Sequence, residues 1–171
     1  MSKSKERKLT MQMVKEDVKK YDEVERIYFD DDAYIDMHPY FDPHKVANML
    51  ELIIDDLSVF RKEGIEINDE MFIHWIHFRI IKTFSKMYFP KETLKLYNFF
   101  LEFIRSRYYP QIMKLIPKEE LENIYNQVIE MFKAGERILK ESKKLEREIE
   151  KLKQNHPELV EVIEKKNTQE S

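Results

Sequence analysis

Only two glycines, Gly64 and Gly135, occur in the 171 residues of this chain, and that scarcity narrows the available folds more than any other feature. Tight hairpin turns and bulges require positive φ, which glycine adopts without steric penalty. A many-stranded sheet is therefore disfavoured, whereas helices joined by turns rich in Pro and Asn need no glycine. The fold class expected is all-α: a helical bundle with a central helical hairpin and a long C-terminal coiled-coil-like helix. The apolar fraction of 42% supplies a core. The charged fraction of 37% exceeds the ordinary level of about 25%, as long amphipathic helices with solvated outer faces require.

Helix boundaries are readable at several points. A weakly apolar helix over Thr10 to Tyr21 carries Met13, Val14 and Val18; being short, it needs packing to persist. Residues 22–42 mix Asp with Tyr28, Phe29, Tyr34, Tyr40 and Phe41, which reads as an irregular connector with one short extended stretch. Asp42-Pro43 is a helix start, the carboxylate accepting from exposed N–H groups and the proline costing nothing in the first turn. Val46, Leu50, Ile53, Leu57 and Phe60 then form one apolar stripe, and Gly64 supplies a left-handed stop. Asn68 caps a helix from Asp69 to Tyr88, and Pro90 opens another to Tyr109. The second has an apolar arc wide enough to make it the expected centre of the core.

Pro117-Lys118-Glu119-Glu120 begins the last helix, with carboxylates at the positive end of its dipole. From there Leu121, Ile124, Val128, Met131, Gly135, Ile138, Ser142, Leu145, Ile149 and Leu152 alternate steps of three and four without a slip. Tyr125, Phe132 and Leu139 widen this stripe in the first half; beyond Lys140 only the seam stays apolar, as in a helix that meets a single partner helix. The expected layout is a flexible basic arm over 1–9, a helical domain over 10–120, a heptad helix over 121–154 with its distal half projecting, and a short helical turn with a flexible tail over 155–171.

Composition removes several function classes. Without cysteine there are no disulfides, thiolate metal sites or thiol nucleophiles. Met1 to Lys8 lack the apolar stretch of a secretory signal, and no run is long and apolar enough for a membrane span, so a cytoplasmic protein is expected. A net charge of −3 argues against a general nucleic-acid binder. The charge is unevenly spread: residues 1–20 carry a net +4 and residues 21–42 a net −7. Phosphate-binding glycine loops, glycine-flanked serines and metalloprotease histidine pairs are missing from the sequence. No cofactor is implied.

Three features have chemistry to offer, each with a plainer alternative. In the long helix, the seam residues Ser142, Leu145, Ile149 and Leu152 offer a face to a second copy or another protein; alternatively the helix folds back on its own domain. Glu70, His74 and His77 lie along one helix edge and are a weak divalent-metal candidate; His77 sits beside Ile73, Ile80 and Ile81, where a hydrogen-bonded core histidine is the simpler account. Trp75, Arg79, Lys82 and Lys86 cluster on the opposite face, either as a hot spot for a protein or a nucleic-acid backbone, or with Trp75 covered by another helix and Arg79 over its ring. The acidic run Asp30-Asp31-Asp32 lacks the spacing, glycine and closing Glu of a calcium loop.

Together these point to a non-catalytic protein-interaction protein: an adaptor, assembly chaperone or regulatory inhibitor. Small cysteine-free helical chains rich in Lys and Ile are common among phage and mobile-element accessory proteins. A nucleic-acid-associated regulator using the Trp/Lys/Arg face and a metal-dependent helical enzyme using the Glu/His/His edge stand as alternatives.

Overall fold

The computed structural model describes residues 7–30 and 32–155, with side chains to Lys151; the expectations for residues 1–6, Asp31, the side chain of Leu152 and the tail beyond 155 lie outside the described residues. Among the described residues six α-helices and one two-stranded sheet follow in the order α1 (Met11–Asp17), a 3-10 turn (Val18–Asp22), β1 (Glu25–Tyr28), β2 (Tyr34–Met37), α2 (Pro43–Lys62), α3 (Asp69–Phe84), α4 (Thr93–Phe103), α5 (Tyr108–Leu115) and α6 (Lys118–Asn155). The protein is predominantly helical, as expected, and its long C-terminal helix is present. The chain divides into two compact units, with the boundary between Ile124 and Tyr125.

The caps act where the sequence places them. Asp42 accepts from the backbone N–H of His44 at 2.8 Å with Pro43 in the first turn, and Asn68 accepts from Met71 N–H at 2.8 Å. Gly64, at φ 71°, terminates α2. In α1, Thr10 accepts from Met13 N–H at 3.3 Å, yet the helix has no buried residue.

Residues 22–42 differ from expectation: they build a β-hairpin. Asp32 adopts φ 63°, the left-handed conformation that glycine would otherwise supply and that Asp tolerates better than most residues. Glu25 to Tyr28 pair antiparallel with Met37 to Tyr34, and Phe29 N–H donates to Ala33 carbonyl at 2.8 Å to close the turn. Ile35 and Met37 face inward and are buried. On the outer face the Arg26 guanidinium grips Asp36 with two hydrogen bonds of 2.8 and 2.9 Å and lies 4.0 Å above the Tyr34 ring.

That hairpin also explains why α3 stops at Phe84 and not Tyr88. Ser85 turns extended and bridges Met37. His38 N–H donates to Phe84 carbonyl and Lys86 N–H to Asp36 carbonyl, both at 2.8 Å. The expected helix over 90–109 is likewise divided: α4 ends at Phe103, and a new helix starts at Tyr108 with Pro110 in its first turn, where its missing N–H has no intrahelical partner to lose.

The core centres on α3 and not on α4. Trp75, Ile76, Phe78, Ile80, Ile81 and Phe84 are buried along α3, whereas α4 buries Leu96, Phe100 and Phe103. Trp75 meets Phe60 of α2 and Phe100 of α4 edge-on, each with ring centroids 5.0 Å apart. Phe78 packs on Phe89, Phe100 and Phe103. Such tilted and edge-to-face pairs add about 0.5–1.5 kcal/mol each beyond area burial.

The hairpin turn yields a direct test. Asp32→Val, placing a β-branched residue at positive φ, is expected to destabilise by about 1–2 kcal/mol, whereas Asp32→Gly is neutral or stabilising. Urea denaturation of both variants checks the difference in sign.

Candidate functional site

The Trp/Arg/Lys face of α3 begins with a buried carboxylate. Asp56 occupies the inward side of α2 between Ile53 and Phe60, and only 2% of it is exposed. The Nε1–H of Trp75 donates to Asp56 Oδ2 at 3.1 Å, and Arg79 Nε–H donates to the same oxygen at 2.6 Å. A second guanidinium nitrogen of Arg79 also touches Oδ2, and the guanidinium carbon lies 5.5 Å from the Trp75 ring centroid. Burial pushes the Asp56 carboxyl above its ordinary range, against the opposing pull of Arg79 and Trp75.

Trp75 is fully enclosed and Arg79 is 5% exposed. The structure thus removes both from the surface that sequence reasoning offers to a partner. The covered arrangement is the one formed, because Asp56 gives the guanidinium and the indole N–H a place inside. Lys82 is half-buried, and its ammonium is lowered by burial and by the neighbouring Arg79, partly offset by Asp56. Lys86 is exposed, just beyond the end of α3.

The Glu/His/His edge does not close into a ligand set. Among the described residues no group of three His, Cys, Asp or Glu side chains is placed to hold a metal ion, and Glu70 lies exposed at the start of α3. His74 and His77 instead converge on a residue that sequence reasoning misses. Their Nδ1 atoms lie 2.7 and 2.9 Å from the hydroxyl of Tyr109 on α5. A hydroxyl has one proton, so with both rings neutral it donates to one Nδ1 and accepts from the other. The two imidazoles then hold opposite tautomers. Burial, with a smaller contribution from His74, lowers His77 to about 4.

The remaining candidate is α6. From Phe132 to Lys151 every side chain is exposed. Ile138, Leu145 and Ile149 of the heptad seam are 67%, 60% and 45% exposed, and Ser142 between them is exposed as well. Large aliphatic side chains repeating every three and four residues on a solvated helix form a strip that water covers at a cost of about 25 cal/mol per Å2. Among the described residues no helix is long and apolar enough to cross a membrane.

Fold and side chains together define a predominantly helical protein with a small hairpin, an internal ion pair and a long, highly charged final helix. The chain belongs to the YomO family, whose profile matches residues 11–169. Over 133 residues it is 28% identical to the SPbeta prophage-derived uncharacterized protein YomO of Bacillus subtilis (strain 168), a similarity that spans 78% of this chain and 80% of that protein. No solved structure matches the chain.

Two outcomes test the buried groups. Asp56→Ala strands the Arg79 charge inside and is expected to cost about 3–5 kcal/mol, while the double variant Asp56→Leu with Arg79→Met regains only part of the loss, because the buried Trp75 N–H still lacks its acceptor; urea unfolding of the single and double variants measures this. For His77 the folded value of about 4 lies below the ordinary value near 6.5. The unfolded chain therefore binds the proton first as pH falls. Stability is complete above about pH 6.5, declines between 6.5 and 4, and changes no further through this group below that. Urea midpoints across the window should show the decline, and His77→Gln should flatten it.

Proposed function

We propose that the chain is a non-catalytic helical interaction protein of phage origin, acting in the cytoplasm as an adaptor, assembly chaperone or regulatory inhibitor. The observation that carries the reading is the exposed heptad seam of α6, with Ile138, Leu145 and Ile149 in water. A narrow apolar seam flanked by Lys, Glu and Arg is the pattern of a helix that pairs with one other helix. Phage origin follows the prophage-derived relative. The buried groups of α3 favour the same reading: the indole, guanidinium and imidazoles all engage other side chains of the chain.

The test compares the full chain with a triple variant, Ile138→Glu with Leu145→Glu and Ile149→Glu. Both are purified from the native host through a mild affinity step and sized by analytical ultracentrifugation. The wild type is expected to form an assembly, with itself or with a host or phage protein, that the variant loses. If size and co-purifying proteins are identical for the two, seam-directed interaction is wrong. Stoichiometric nucleic acid in the eluate would instead support phosphate binding by Lys82 and Lys86, and stoichiometric metal a site at His74 and His77.

A further inference from the structure

We infer that the occupant of the α6 seam is a second copy of the chain, laid antiparallel with the two-fold axis beside Lys140. This rests on the interaction reading above and names its partner. In the heptad, Gly135, Ser142 and Ile149 occupy the first seam position, and Met131, Ile138 and Leu145 the second. A parallel, in-register pair sets like positions against each other. It would confront Gly135 with Gly135 and Ser142 with Ser142, leaving two layers without apolar filling. An antiparallel pair sets first positions against second ones.

Centred at Lys140, the antiparallel register places Gly135 against Leu145, Ser142 against Ile138, and Ile149 against Met131. Each layer occurs twice by symmetry, so six layers run from Met131 to Ile149. Both small residues then face a large aliphatic side chain, and no layer is empty. All of these residues are exposed except Met131, which is half-buried. A Cβ added at Gly135 meets nothing within 4 Å, so the space that a leucine of the second copy would enter is open in the single chain.

The flanking positions differ between the two pairings but do not separate them by charge. A parallel pair would set Glu141 against Glu146 of the second copy, twice over. In the antiparallel register Glu146 lies against Phe132 instead, and Leu139, 62% exposed, meets its own symmetry mate. Glu141 also meets its mate, with Arg137 and Lys144 beside it as they are in either pairing. The sizes of the seam side chains select the antiparallel pairing.

The full chain decides the matter in three measurements. Sedimentation equilibrium is expected to give a dimer that Gly135→Leu weakens by roughly tenfold or more, because the added side chain would collide with Leu145 of the second copy. The same substitution fills the empty layer of a parallel pair and tightens it, so a tighter dimer overturns the proposal. Circular dichroism controls for helix loss, which is not expected, since leucine is a better helix former than glycine. Without native cysteine, oxidising a mixture of Gly135→Cys and Leu145→Cys chains should give the mixed covalent dimer. A covalent dimer from Leu145→Cys alone also overturns the antiparallel register. A wild type that sediments as a monomer through the micromolar range rejects the second copy as occupant, while the host-capture comparison still judges the interaction reading on its own.

Discussion

The carboxylate of Asp56, sealed between α2 and α3, governs how the aromatic core can be assembled. A charge taken out of water needs its partner in one position, and here the guanidinium of Arg79 and the indole N–H of Trp75 share a single oxygen of Asp56. Sliding α3 by one turn along α2 would strand both a cation and an anion among Phe60, Phe78 and Phe100. Apolar rings alone tolerate such slips, since their attraction has little direction. The ion pair converts a permissive interface into a specific one, at a desolvation cost that apolar substitutes would avoid.

From that interface the rest of the first unit follows by local chemistry. Once α3 is seated, the extended residues beyond Phe84 take up the free edge of β2, with Ser85 bridging Met37. On the other side, Tyr109 draws α5 toward α3 by serving two histidines with one hydroxyl. Secondary structure that looks marginal in isolation, a four-residue strand or an eight-residue helix, is thus held by contacts to one well-buried rod.

Much of this is legible from residue order. Asp42-Pro43, Gly64 and Asn68 mark helix ends because each residue type solves a backbone problem that recurs in any helix. The stripe from Val46 to Phe60 shows a buried face for the same reason. The hairpin is hidden because glycine scarcity argues against positive φ only if glycine alone can adopt it, and Asp32 meets the need instead. Pro110 reads as a stop in sequence, yet its place in a first turn makes it a start. Asp56 sits in plain view on an apolar stripe, and a carboxylate there signals a buried cation; the matching cation, Arg79, is masked by the surface character of its neighbours Lys82 and Lys86. Tyr109 carries no local signal at all, since its role depends on where α5 lands relative to α3.

The hairpin has a consequence for the behaviour of the chain at high concentration. Among the described residues β1 finds ladder partners only in β2, so its other side presents backbone groups that could template strands from neighbouring molecules. That side is only four residues long and begins with Glu25 and Arg26; short length and charge are the usual safeguards against edge-to-edge stacking. A small sheet grafted onto a helical body therefore adds order to an acidic segment without adding a nucleus for fibrils.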